Sequence, residues 1–406
     1  MVPNGWKSVR LNKLSEFVTS GSRDWAQYYS DKGSKFIRMT NLPRDGIYLK
    51  LEDLKFVDVK SDSADGKRTS LQYGDILISI TAELGKIGWV PDNLGEAYIN
   101  QHTALVRPKA SKCDSKYIAY LLSSHTMNHR INRLNDSGAK AGLNLPTIRS
   151  IPLIIPPLPE QRKIAKILST WDKAITTTEQ LIAASQQQKK ALMQQLLTGK
   201  KRLLNPETGK VFEGDWEEVK QGDVATFFNG RAYKQTEWEE TGTPVIRLQN
   251  LTGRGSEFYY STLELPEHQY CNTDDLLYMW SATFGPAIWH GEKAIYHYHI
   301  WKVECNSSRL NKLFMYFLLD FETQKWMSQS NGMGLLHITK TTMEKQTILL
   351  PNVKEQQKIA SVLTAADKEI ELLQAKLAHF KEEKKALMQQ LLTGKRRVKI
   401  EEMKIA

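Results

Sequence analysis

The twelve residues Lys189-Lys-Ala-Leu-Met-Gln-Gln-Leu-Leu-Thr-Gly-Lys200 return unchanged at Lys384 to Lys395. Identity over that length marks an internal duplication, and a duplication decides the architecture before any single element is read. At the same offset, Glu160-Gln161, Lys163-Ile164-Ala165, Leu168 and Asp172-Lys173 answer to Glu355-Gln356, Lys358-Ile359-Ala360, Leu363 and Asp367-Lys368. Ahead of each block runs an apolar stretch closed by proline, Ile151-Pro-Leu-Ile-Ile-Pro156 and Thr347-Ile-Leu-Leu-Pro351. Fainter echoes reach further back. Asp75-Ile-Leu with Gly85 resembles Asp275-Leu-Leu with Gly285; Ile37-Arg38 with Asn41-Leu42 resembles Ile246-Arg247 with Asn250-Leu251; Trp6 with Val9 resembles Trp216 with Val219. The chain therefore reads as two copies of one unit, each a mixed domain followed by a long helix.

Residues 160–198 and 352–393 contain neither Gly nor Pro. Each run ends at Thr-Gly and then Lys/Arg, a stop signal whose cations suit the negative end of the helix dipole. Apolar residues recur at 4,3 spacing, the mark of a heptad seam. The first seam is Ile164, Leu168, Trp171, Ile175, Ile182, Leu192 and Leu196, interrupted by Thr178, Ser185 and Lys189. The second is Ile359, Leu363, Ala366, Ile370, Leu373, Leu377, Phe380, Leu387 and Leu391, interrupted by Lys384. Each helix is roughly 57 Å long at 1.5 Å per residue. The second mixed domain starts where the first helix ends and finishes where the second begins. Short connections then require the helices to pair antiparallel, with the mixed domains at opposite ends and related by a pseudo-two-fold axis. Gln186-Gln-Gln188, Gln194-Gln195 and Gln389-Gln390 flank the seam as a polar rim on which partner helices can dock.

Within the mixed domains, Asp75–Ile80 and Lys86–Val90 are predicted as a strand pair across a turn. Ala97–Val106 is predicted as one strand and Ser115–Leu134 as one helix. The second copy has predicted strands near Leu276–Trp280, Ala287–His290 and Ala294–Val303, and a helix over Leu310–Met327. The fold class is α+β: two tandem mixed α/β domains joined by two long helices in an antiparallel coiled coil. The domain boundaries are 1–158 and 204–352 for the mixed domains, 159–203 for the first helix segment, and 353–406 for the second with its tail.

The chain has 406 residues and a formal net charge of +11, unevenly spread: +7 over 1–158, +6 over 159–203, −6 over 204–352 and +4 over 353–406. A basic chain points to nucleic acid. The acidic third segment must supply its phosphate contacts from a local basic patch or leave them to partners. No run of apolar residues is long enough for a membrane span, and the first residues lack the apolar core of a secretory signal. Cys113, Cys271 and Cys305 are too few and too scattered for a disulfide framework or a Cys-rich zinc site. A cytoplasmic protein is expected.

Motifs for chemistry are missing. There is no G-x-x-x-x-G-K-[ST], no G-x-G-x-x-G and no H-E-x-x-H. Ile155-Pro-Pro-Leu158 is only superficially similar to the Asp/Asn-Pro-Pro-Tyr motif of amino-methyltransferases. It lacks the group that would hold a target amine and the aromatic that would stack on a base, and Pro159 suits a helix first turn. His297-Tyr-His299 places two imidazoles on one strand face with His290 nearby, but nothing completes a ligand set. No metal, no catalytic residue and no cofactor is expected in this chain.

A proline-closed strand, Pro157-Leu158-Pro159-Glu160-Gln161 leading into a heptad helix, and Leu-Met-Gln-Gln-Leu-Leu-Thr-Gly-Lys at its end: this doubled pattern resembles the specificity (S) subunit of type I restriction-modification enzymes. The resemblance covers the whole chain and is strongest in the helix segments. It implies two target-recognition domains that read a split, asymmetric site in double-stranded DNA. It also implies two modification subunits using S-adenosylmethionine and two restriction subunits using ATP and Mg²⁺ as partners, with neither activity in this chain. DNA-facing candidates are Arg23, Arg38, Asn41, Arg44, Lys67, Arg68, Lys86 and Lys140 in the first domain. In the second they are Arg231, Arg247, Gln249, Asn250, Arg254, Thr283 and Lys340. Arg, Asn and Gln can read base edges, whereas Lys more often holds phosphate. Arg38/Arg247 and Asn41/Asn250 recur in both copies, which argues for a shared backbone role. The rival readings are a coiled-coil scaffold without DNA specificity, and an enzyme with unrecognised motifs.

Overall fold

The two runs without Gly or Pro form helices of 39 residues each, Leu158–Leu196 and Val353–Leu391. Gly199 and Gly394 follow them at φ +68° and +72°, the left-handed conformation that ends a helix and that a side chain resists. The computed structural model describes residues 2–21, 25–134, 142–329 and 338–400. Among these, no helix is long and apolar enough to cross a membrane.

The chain divides into two compact units, Met1–Glu179 with Lys376–Ala406, and Gln180–Ala375. Each long helix thus gives one half to each unit. In the first unit, strand Lys7–Arg10 pairs antiparallel with Pro152–Ile155. A four-stranded antiparallel sheet runs in the order Ser15–Ser20, Thr103–Pro108, Ile76–Ser79, Ile87–Trp89. A second sheet runs Tyr29–Ser30, Lys55–Val57, Ser34–Ile37, Ala97–Ile99, its last pair parallel. The other unit repeats the plan. Glu217–Lys220 pairs with Thr347–Leu350. Its antiparallel sheet runs Ala225–Asn229, Ile300–Cys305, Leu276–Ser281, Thr283–Ile288. Its mixed sheet runs Tyr259–Ser261, Thr243–Ile246, Ala294–Tyr296, Tyr270–Cys271, with the middle pair parallel.

Four expectations need correction. Ala97–Val106 is two strands, Ala97–Ile99 and Thr103–Pro108, in different sheets. Ala294–Val303 is likewise Ala294–Tyr296 and Ile300–Cys305. In both copies the chain leaves the mixed sheet, turns through three residues and enters the antiparallel sheet. Ser115–Leu134 breaks at Ser124, whose hydroxyl caps a new helix, His125–Arg133, by accepting from Met127 N–H at 3.4 Å. The strand near Ala287 is Thr283–Ile288, beginning earlier than expected.

Within each unit the two helix halves run antiparallel. In the first, Ile164 and Leu168 share a core with Leu391 and Leu392, and Leu387 packs beside them. Trp171 meets Phe380 edge-on at 5.5 Å between centroids. In the second, Leu196 is buried with Ile359 and Leu363, and Leu192 lies against that core. Ile370 is buried, whereas Ile175, Ile182, Ala366, Leu373 and Leu377 are half-buried. Burial of a Leu or Ile contributes about 1.5–3 kcal/mol, so most of the seam's apolar gain sits towards the helix ends.

The recurring Glu-Gln has a plain reason. Gln161 accepts from Asp114 N–H (3.0 Å) and donates to Pro156 O (2.9 Å), tying helix Ser115–Ser123 to the long helix. Gln356 does the same with Asn311 (2.8 Å) and Pro351 (2.8 Å). Glu160 and Glu355 are fully buried, and each takes a bidentate pair from the arginine just past the other helix. Arg397 donates to both Glu160 oxygens at 2.7 Å, and Arg202 donates to Glu355 at 2.6 and 2.7 Å.

Candidate nucleic-acid interface

In both copies a parallel strand pair ends beside a tight turn held by an asparagine. Asn41 accepts Arg38 N–H (3.0 Å) and donates to Lys50 O and Asp53 O. Asn250 accepts Arg247 N–H (2.9 Å) and donates to Gly255 O and Glu257 O. The shared role of this pair is to clamp a loop, and the Asn41 side chain is buried in doing so.

The arginines themselves diverge. Arg38 turns onto Asp53, bonding its carbonyl at 3.0 Å and its carboxylate at 3.2 Å. Among the described residues, Arg247 has no carboxylate partner; its guanidinium carbon lies 5.1 Å from the Tyr259 ring and 5.9 Å from Trp238. It lines a pocket of about 290 Å³ with Leu248, Gln249, Thr252, Arg254, Thr283, His297 and His299. Four candidates from the sequence, Arg247, Gln249, Arg254 and Thr283, therefore converge on one recess. Among the described residues no acidic side chain lines it, although the surrounding stretch 204–352 carries −6.

Local structure explains the convergence. Strand Thr243–Ile246 runs parallel to Ala294–Tyr296, and His297 N–H donates to Ile246 O at 2.9 Å. Arg247 and His297 are thus the first residues beyond two neighbouring strand ends. Gln249 O accepts from the N–H groups of Arg254 (3.0 Å) and Gly255 (3.2 Å), so the loop folds back and returns Arg254 to the recess. Gly253, at φ +68°, makes that reversal possible. Thr283 follows Ala282, a non-glycine residue at φ +59°; Ala82 holds the same conformation, φ +57°, in the first copy's hairpin. His297 and His299 do not share a strand face as expected. They lie in the crossing between Ala294–Tyr296 and Ile300–Cys305, with ring centroids 5.1 Å apart. Burial first, then His299 and Arg247, push the His297 pKa down to about 4, so its ring is neutral at pH 7.

The remaining candidates stand elsewhere. Arg44 lies 3.5 Å from Glu83, which also pairs with Lys86; Lys86 and then Arg44 hold the Glu83 carboxyl below its usual range. Arg68 pairs with Asp65 at 3.2 Å, and Lys67 is exposed on the same short helix. Lys340 pairs with Glu344 one turn on, at 3.5 Å. Arg231 bonds Glu237 at 2.5 Å and covers the Tyr233 ring at 4.4 Å. Arg23 and Lys140 lie outside the described residues. The sequence reading missed an aromatic wall: Trp238 stacks on Tyr233 (4.7 Å) and lies against Tyr259 (4.6 Å) and His297 (6.3 Å). The only signal for it was the density of rings over 227–238.

A family model described as the type I restriction modification DNA specificity domain matches residues 3–185 and 213–382. The chain is similar to two proteins of Methanocaldococcus jannaschii. The putative type I restriction enzyme MjaX specificity subunit is 26% identical over 414 residues, spanning 98% of this chain and 95% of that one. The type I restriction enzyme MjaVIII specificity subunit is 26% identical over 433 residues, spanning 98% and 94%. Among solved structures, the S subunit from M. genitalium aligns with a TM-score of 0.60 at 13% identity, covering 96% of this chain and 99% of that one. The HsdS subunit from Thermoanaerobacter tengcongensis aligns at 0.51 and 16% identity, covering 97% and 98%. At those identities the structures speak for the fold, and the doubled family match speaks for the family: the chain belongs to the type I restriction-modification DNA specificity subunits, the non-catalytic members of their complexes.

Proposed function

We propose that the chain reads a bipartite, asymmetric double-stranded DNA site as the specificity subunit of a type I restriction-modification complex. Residues 1–158 take one half-site and residues 204–352 the other. The helix segments 159–203 and 353–406 dock two modification and two restriction subunits, which use S-adenosylmethionine, ATP and Mg²⁺; this chain itself holds no cofactor. The observation that supports the reading most directly is the recess lined by two arginines and, among the described residues, by no carboxylate, set within an acidic segment. A surface of that sign, rich in forked donors, suits a polyanion with base edges to read.

The test is to exchange residues 1–158 for the same region of a relative and to map methyl-adenine in a host carrying the intact system. One half of the target should change and the other should stay. A scaffold without DNA specificity predicts an unchanged target, and an exchange that altered both halves together would defeat the assignment of one half-site to each domain.

A further inference from the structure

We infer that the recess bounded by Arg247, Gln249, Arg254, Thr283, His297 and His299 receives the major-groove edge of a guanine in the half-site read by residues 204–352. The inference rests on the DNA-reading role proposed above. Its ground is the donor balance of the lining. Two guanidinium groups supply forked N–H donors, while among the described residues no Asp or Glu lines the recess to accept from the amino group of cytosine. Guanine shows two adjacent acceptors in the major groove, N7 and O6, and a guanidinium meets both at once. Adenine and cytosine each place an amino donor where those donors point.

A phosphate is the other acceptor that arginine takes, and three features favour the base. Arg247 is rooted at a strand end and backed by Tyr259 and Trp238, so its fork is held in orientation rather than free to follow a backbone. The recess is small, about 290 Å³, and suits one base edge better than a run of backbone. The imidazole of His297 stays neutral beside Arg247, whereas a site evolved around an anion gains from a protonated ring. The first copy lacks this arrangement at the matching position, because Asp53 occupies the Arg38 guanidinium. Two domains built on one plan thus differ in the group they present, as reading different sequences requires.

The experiment uses the full chain assembled with its modification subunits. First, the methylation map of the unaltered complex should place a G·C pair in the half-site assigned to 204–352; a half-site without one overturns the proposal. Second, each guanine there is replaced by 7-deazaguanine, which removes N7 and changes no protein residue. Binding should weaken roughly 5- to 150-fold at one position and little at the others; equal tolerance at every guanine overturns it. Third, Arg247→Lys keeps the charge and removes the fork. Methylation should relax at that one position while the first half-site stays strict. Unchanged specificity at every position, or a loss of binding that is uniform across sequences, means a phosphate contact and overturns the proposal. A complex that binds DNA with no sequence preference at all would instead remove the DNA-reading role beneath it.

Discussion

At the scale of single residues, His297 carries a measurable signature. Its pKa falls from 6.5 to about 4 on folding, through burial and then His299 and Arg247. Between those values the unfolded chain binds a proton that the folded chain refuses. Stability is therefore complete above about pH 6.5 and declines as pH falls towards 4, by about 1.4 kcal/mol per unit at most. His297→Asn should flatten that part of the stability curve, measured by urea unfolding between pH 7 and pH 4.5. A second pair of residues shows how the two copies differ within a shared plan. Asp172 accepts from Tyr120 and from Lys384, and the Tyr120 hydroxyl meets Tyr48 at 3.3 Å. In the other unit Asp367 takes Lys189 at 2.5 Å, while Lys189 lies 5.4 Å from the ring of Phe317, which has no hydroxyl to give. Tyr120→Phe should convert the first joint into the second at a cost of about 1–2 kcal/mol, read from the thermal transition of that unit.

At the scale of elements, the long helices were legible because a twelve-residue identity and a 4,3 apolar spacing both report on them. The strands Ala97–Ile99 and Thr103–Pro108 were not separable in sequence, since Asn100-Gln-His102 contains no Gly or Pro and the apolar run resumes at once. The break at Ser124 did leave a trace, the Ser123-Ser124 pair ahead of Met127, but apolar periodicity carried across it. The candidate site was half legible. Arg247, Gln249, Arg254 and Thr283 stand out by residue type, yet nothing in their spacing reveals that Thr283 on a distant hairpin closes the same recess. Equally, Asp53 cannot be assigned to Arg38 from sequence, because the pair depends on how the loop after Asn41 is clamped. The Glu160–Arg397 and Glu355–Arg202 pairs are elements' joints of a different kind: a buried carboxylate depends on one half-open guanidinium. Arg397→Met leaves Glu160 without its cation and should cost about 2 kcal/mol, below the range for fully buried pairs because water reaches the arginine. Arg202→Met should cost a similar amount, and differential scanning calorimetry should place the two losses in different transitions.

At the scale of the whole molecule, charge and architecture divide the labour unevenly. The segment 204–352 is acidic overall, with two of its arginines, Arg247 and Arg254, gathered at one recess, whereas 1–158 carries a net +7. Raising salt should therefore weaken DNA binding mainly through the first domain: a charge-neutralising Lys67→Gln change should lower the salt slope by about one, with no change in the mapped target.

The division into units has one more consequence, in the time order of synthesis. Gln180–Ala375 is a continuous stretch, while the unit that begins the chain needs Lys376 onward to complete its core, with Leu391 and Leu392 packed on Ile164 and Leu168 and Arg397 neutralising Glu160. Translation normally lets the first domain fold first; here the opening 179 residues leave the ribosome lacking part of their own interior and wait through nearly 200 further residues for it. The second unit should reach protease resistance on nascent chains stalled with Ala375 outside the tunnel, and the first should reach it only once Arg397 has emerged as well. The earliest-made half is thus the last to close, and until then its long helix offers an open apolar stripe to chaperones and to any second chain being made alongside.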